Sequence, residues 1–349
     1  MAQINKPSEH FNTKLYTGTA AENAITGVGF QPDWTWIKNR SITANHHLFD
    51  VIRGATKYIL TNSANAEATD AQQLKSFDSD GFTVGTNGNV NGSGNNIVSW
   101  NWKAGGTASS NTDGSITSSV SANTTSGFSI VKYTGTGANA TIGHGLGVAP
   151  SMIITKTRSI TQNWFVYHKS LGETKAIYLD LTNASTTTST AWNDTAPTSS
   201  VFSVGTEAGT NSSGATLIAY CFAEKKGYSK FGSYAGNGNA DGTFVYTGFK
   251  PAFLICKAYN TSGEHWVMYD NKRNDDAGAG GNYIDRLLYP ASSAAEVDSG
   301  GALWVDFLSN GFKLRGTSGN INVSGYNYIY MAFAEQPLVG TNNIPCTAR

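Results

Sequence analysis

The sequence predicts an all-β protein of three tandem antiparallel repeats, each a β-sandwich or jelly-roll-like unit of about 100 residues. Three observations predict it. Three copies of N-x-S-G stand at one place in a repeating unit, as Asn91-Gly-Ser-Gly94, Asn211-Ser-Ser-Gly214 and Asn322-Val-Ser-Gly325. Each copy is followed, at the sixth and eighth residues after its glycine, by large apolar side chains: Trp100 and Trp102, Tyr220 and Phe222, Met331 and Phe333. Upstream, each copy carries a proline six residues before a lysine: Pro32 and Lys38, Pro150 and Lys156, Pro251 and Lys257.

Each repeat opens on a turn, Tyr16-Thr-Gly18, Tyr133-Thr-Gly135 or Tyr234-Ala-Gly236. The proline starts a strand, one of the few places a sheet tolerates it. In that strand Trp34, Met152 and Phe253 are equivalent, as are Trp36, Ile154 and Ile255. Period-two spacing puts both sets on one face, and a tryptophan that becomes Met or Ile in a sister copy fills volume rather than stacking on a ligand. A second strand ends at Asp50, His168 and Asp270. A third follows Gly54-Ala-Thr-Lys57 and Gly172-Glu-Thr-Lys175, and in repeat three is expected over Tyr283 to Tyr289 after an insertion. A fourth centres on Phe82, Phe202 and Phe312, and the strand after N-x-S-G closes the unit. No segment sustains a helical period with caps. The boundaries read as residues 1–106, a Ser/Thr/Gly-rich linker at 107–126 with an alternation at Ile116 and Val120 that also suits an edge strand, then 127–227 and 228–349. The units are either separate beads or share a pseudo-threefold axis.

The bulk composition excludes several classes. Lys and Arg number 24 against 24 Asp and Glu, with no dense basic block, so the source of counterion-release affinity for nucleic acid is missing. No apolar run approaches the roughly 18–20 residues of a membrane helix, and the N-terminus carries no apolar signal-peptide core. Cys221, Cys256 and Cys346 are odd in number and widely spaced, which predicts free thiols in a chain made in a reducing cytoplasm.

Motifs with possible chemistry reduce to framework when the copies are compared. The N-x-S sites recur at one turn, so turn chemistry explains them better than glycosylation. Asp78-Ser-Asp-Gly81 has no carboxylate in its sister segments, and His46 and His47 point to opposite faces of a strand. Asp50 and Asp270 precede Arg53 and Arg273 by three residues and read as polar anchors at strand ends. No catalytic residue, metal ligand or cofactor is assigned. What the copies do not share carries the functional expectation, since loops on a rigid scaffold are where binding is placed. These are Trp192 and Asp194 in a Thr-rich loop, Tyr259 in Tyr259-Asn-Thr-Ser-Gly263, and Asp275 in the insertion Asn274 to Gly281. An aromatic ring beside Asn or Asp suits a sugar; the alternative for Trp192 is a ring tucked under its own loop.

The stretches Ser121 to Gly137, Gly143-His-Gly-Leu-Gly-Val-Ala-Pro-Ser-Met-Ile-Ile-Thr-Lys156 and Gly29 to Arg40, with the Asp50…Arg53-Gly54-Ala pattern, carry a family likeness. The chain resembles a poorly characterised repeat domain of tail-fibre and other virion proteins of marine bacteriophages and cyanophages. The resemblance covers most of the chain; repeat three departs from it. It implies a structural virion component, not an enzyme, with other virion proteins as partners. Expected with it are a homo-oligomer and host attachment through a surface glycan or envelope, with no nucleic acid and no membrane insertion. The alternatives are pure decoration of the particle, or a virion-associated polysaccharide depolymerase.

Overall fold

The computed structural model describes residue 4 and residues 6–274 and 282–336, and the chain is nearly all β, its strands paired antiparallel. Three larger sheets share one strand order. The first runs Phe11–Thr17, Asn96–Trp102, Trp34–Asn39, His47–Asp50, Lys57–Leu60, Ala68–Thr69. In the second, Phe128–Thr134, Thr216–Phe222, Met152–Thr157, Phe165–His168, Lys175–Tyr178 and Thr186–Thr187 follow in the same order. In the third, Ser229–Ala235, Asn327–Ala334, Pro251–Ala258 and Val267–Asp270 do so. In each, the closing strand lies between the opening strand and the strand after the proline. A small sheet packs on the outside of each larger one, giving three sandwich-like units.

Register explains the paired apolar residues. Trp34 and Trp36 sit opposite Trp102 and Trp100, Met152 and Ile154 opposite Phe222 and Tyr220, and Phe253 and Ile255 opposite Phe333 and Met331. These faces do not fill the three sandwiches. They meet one another in a single central core contributed by all three units. Trp34 packs on Phe128, Tyr220 and Phe222 of the second unit; Phe222 on Phe231 and Phe333 of the third; and Phe253 and Phe333 on Phe11 and Trp102 of the first. The contacts therefore close a ring. The opposite faces, with Ile37 and Phe49, Ile153 and Tyr167, and Leu254 and Tyr269, fill the separate sandwich cores.

The N-x-S-G turns lock each unit from within. Asn91, Asn211 and Asn322 are fully buried. Their carboxamide oxygens accept from the backbone of Thr19, Thr136 and Asn237 at 2.9, 2.8 and 3.0 Å. Their amide nitrogens donate to the carbonyls of Gly85, Gly205 and Gly316 at 2.7, 2.7 and 3.0 Å. The glycines that follow, Gly94, Gly214 and Gly325, have φ of 72°, 72° and 85°, a region costly for other residues. A glycosyltransferase has no access to these buried amides.

Three segments differ from the sequence reading. The stretch 107–126 is not a bare linker: Ser109–Asn111 and Ser118–Asn123 pair onto the edge of the second large sheet. Ile116 and Val120, the alternation that also suits an edge strand, are buried in the second sandwich core. The run from Tyr283 to Tyr289 is not one strand: Tyr283–Ile284 joins the outer sheet and Arg286–Leu287 pairs with Val297–Asp298. Short helices at Gly88–Asn91, Ser189–Trp192 and Ala208–Asn211 went unread, because a single turn shows no period. Cys221 and Cys256 are buried free thiols; Cys346 lies outside the described residues.

Candidate functional site

Several buried polar residues lie where the units meet. Asp50, His168 and Asp270 end equivalent strands, and all are fully buried. Each caps the turn that follows. Asp50 Oδ1 accepts from the Ile52 and Arg53 amides at 3.0 and 2.8 Å, Asp270 Oδ1 from Lys272 and Arg273 at 3.0 Å each, and His168 Nδ1 from Ser170 at 3.1 Å. Each also reaches the closing strand of the next unit. Tyr220 donates its hydroxyl to Asp50 Oδ2 at 2.8 Å, Trp100 its indole N–H to Asp270 Oδ2 at 2.9 Å, and His168 Nε2 donates to the Tyr330 carbonyl at 3.1 Å. The substitutions co-vary. Where the next unit offers a donor, Tyr220 or Trp100, the strand ends in Asp with a buried arginine. Where it offers Met331, the strand ends in a neutral histidine and Leu171 stands in the arginine's place.

Two extended networks result. Arg53 pairs with Asp50 and reaches Glu67, 3.4 Å away, which binds Arg158 of the second unit at 2.8 and 2.9 Å. Arg273 pairs with Asp270 and with Glu296 at 2.9 Å, and Glu296 binds Arg40 of the first unit at 2.7 and 2.9 Å. At the third seam Ser185 replaces the glutamate, and its amide and hydroxyl donate to the Tyr259 carbonyl at 2.8 and 2.9 Å. An Arg158→Ala/Glu67→Ala double-mutant cycle is expected to show a coupling of about 1 kcal/mol or more in urea unfolding, above most surface pairs, because this pair is bidentate and nearly buried.

The lysines after the prolines complete the seams. Lys38, Lys156 and Lys257 are buried and donate across to the carbonyls of Ser293, Ala64 and Thr182 at 3.3, 3.1 and 3.2 Å. Burial pushes each ammonium down to about 8. All six histidines are shifted down too, chiefly by burial, His47 and His168 to about 4. A base whose folded pKa lies below its unfolded value gives stability that is present above about 6.5 and lost as pH falls toward 4, since the unfolded chain takes up the protons. Burial raises Asp33, Asp180 and Glu264, which opposes this with three groups against six. The thermal midpoint is expected to drop by about 5 °C or more between pH 7 and pH 5, read by calorimetry.

The structure redistributes the loop residues. Trp192 is not on the surface: a one-turn helix capped by Thr188 turns its indole inward, 1% exposed, edge-on to Tyr167 in the second sandwich core. Asp194 follows it, exposed, at a φ of 44°. Tyr259 is half-buried against the central core, and its carbonyl belongs to the seam with Ser185. Asp275 lies outside the described residues. Trp192, Asp194 and Tyr259 therefore do not form one site, because the first two belong to the second sandwich and the third to a seam. Asp80 of the Asp78–Gly81 turn accepts from the Gly27 and Gly29 amides at 2.9 and 2.7 Å, a loop clasp. Among the described residues no cluster of three His, Cys, Asp or Glu is placed to hold a metal. Glu67 and Glu296 escaped the sequence reading. The signal was a pairing between copies: Glu67, Ser185 and Glu296 align, and they face Arg158, Tyr259 and Arg40.

A groove of about 460 Å³ lies on the sheet extension of the second unit, lined by Ser110, Thr117, Ser119, Lys132, Arg158 and Thr216. A second, of about 380 Å³, lies beside Asp33, Lys103 and Asn123.

Fold and seams together define an all-β protein whose three sandwich-like units close around a shared core. The chain belongs to a family described as a domain of unknown function, DUF7483, whose model matches residues 6–337. No curated protein matches it, and no solved structure does. No helix among the described residues is long and apolar enough to cross a membrane.

Proposed function

We propose that this chain is a non-enzymatic structural component of a bacteriophage virion, in a tail fibre, a tail or on the capsid surface, that contributes to host attachment. One observation carries the reading. Asp50, His168, Asp270, Lys38, Lys156 and Lys257, groups of the kind that do acid–base work, are enclosed and used in holding the units together, and the thiols of Cys221 and Cys256 are enclosed in two of the sandwich cores. Such investment suits a durable building block. The resemblance of the Gly29–Arg40 and Ser121–Lys156 stretches to phage virion repeats supports the same reading. Attachment then falls to outer surfaces rather than to Trp192 or Tyr259.

Mass spectrometry of purified particles from the source phage tests it. The chain is expected among the virion proteins in stoichiometric amounts, and its absence would remove the reading. Incubation with host polysaccharide is expected to leave chain length unchanged; shortening would point to a depolymerase instead.

A further inference from the structure

The small outer sheet of the third unit differs from its two counterparts in its outward face as well as in its number of strands. Its strands lie in the order Phe244–Tyr246, Gly311–Leu314, Val305–Leu308, Tyr283–Ile284. Val245, Phe312, Leu314, Val305 and Phe307 point into the sandwich core. Alternation therefore turns Phe244, Tyr246, Lys313, Asp306 and Tyr283 outward. Register sets Phe244 beside Lys313, Lys313 beside Asp306, and Asp306 beside Tyr283, in one row across the sheet. The row spans three inter-strand spacings, about 14 Å.

Aromatic rings bound this row. Phe244 and Tyr246 are 44% and 61% exposed. The Phe244 ring leans over Gly311, where a Cβ would stand 3.0 Å from it, so the missing side chain lets the ring lie along the sheet. At the far side Tyr283 packs on half-buried Trp304, with ring centres 4.4 Å apart. Between them Arg315 binds Asp306 at 2.7 Å and lies 3.5 Å from Asp241, which also pairs with Lys313.

The fold does not require these rings. The same outward positions of the first unit are Ala24, Thr26, Thr83, Gly81, Ser76 and Asp78. In the second unit they are Thr141, Gly143, Ser203 and Val201. Both sister sheets form without an outward aromatic. Exposing two large rings on one short strand is unfavourable in water, so a structural explanation is lacking where the sisters manage without them.

We infer that this face binds a neutral oligosaccharide chain, which deepens, and rests on, the attachment reading above. The chemistry matches such a ligand. Flat rings stack on the C–H faces of sugars, and a strip of ordered donors and acceptors meets the hydroxyls at their edges. Lys313 and Arg315 balance Asp241 and Asp306, so the strip offers no net field to an anionic polymer, and the whole chain is neutral. A nucleic acid or a sulfated glycan would need an excess of cations that this face does not have.

The test is a broad glycan microarray probed with the intact protein, followed by titration calorimetry with the best neutral oligosaccharide. The expected result is binding to neutral structures, weakened about tenfold or more in Phe244→Ala/Tyr246→Ala. Ile160→Ala, an exposed apolar residue on the second unit, is expected to leave affinity unchanged. Circular dichroism of the double variant should match the parent, since both side chains lie on the surface. A blank array, binding confined to anionic glycans, or binding that ignores the double substitution overturns the inference. So does a dimer in sedimentation equilibrium that Phe244→Ala/Tyr246→Ala dissociates, because a second copy then occupies the face. Detection of the chain in particles alongside a blank array keeps the virion reading and removes this one.

Discussion

Asp270→Ala is expected to destabilise the protein by about 3–5 kcal/mol, because it strands a buried guanidinium. The substitution removes the acceptor for Arg273 Nε, for the Lys272 and Arg273 amides and for the Trp100 indole. Arg273 keeps Glu296 and the Met268 carbonyl, and its guanidinium lies 5.5 Å from the Trp100 ring centre, but the nearest countercharge is gone. Asp50→Ala is expected to cost a similar amount, since Arg53 and Tyr220 lose the same acceptor. His168→Ala at the third equivalent place removes only neutral hydrogen bonds and should cost less, about 1–3 kcal/mol. Urea unfolding of the three variants checks the order. Equal costs at the three places would contradict the distinction between two charged seams and one neutral seam.

Trp34→Ala is expected to cost about 3–5 kcal/mol through the cavity it leaves. The indole touches Trp36 and Trp102 of its own unit and Phe128, Tyr220 and Phe222 of the next. The loss should therefore appear in both units, as faster exchange of amides in Thr216–Phe222 as well as in Asn96–Trp102. By contrast Phe244→Ala, on the outer face, should stay within about 0.5 kcal/mol.

Much of the strand layout was legible because the chain supplies its own comparison. Trp34, Met152 and Phe253 could be aligned without structure, and period two assigned them to one buried face. What covers that face was not legible. A strand buried on both sides reports that each side is covered, and says nothing about whether the cover comes from its own unit or another. Asp50 and Arg53 were readable as a pair because they are three residues apart. Tyr220, their third partner, lies 170 residues from Asp50 in sequence, and no local pattern announces it. Trp192 was open in the sequence to two readings, a ring presented to a sugar and a ring tucked under its own loop, because a polar, Thr-rich loop hides the single helical turn that folds its one large apolar side chain inward. The outer face of the third unit left a faint trace: Phe244 and Tyr246 alternate around Val245 where the sister strands carry Ala24 and Thr26, or Thr141 and Gly143. Its significance depended on knowing which side of the sheet faces water.

Closure of the three units is what holds this fold together. Three units whose apolar faces form one core, with charged or neutral clasps at every seam, should open together. Hydrogen exchange of the native protein, followed by mass spectrometry in rising urea, measures this directly. Peptides covering Asn96–Trp102, Thr216–Phe222 and Asn327–Ala334 are predicted to share one opening free energy and one dependence on urea. Separate opening free energies for the three closing strands, with one unit exchanging while the others stay protected, would contradict the shared core.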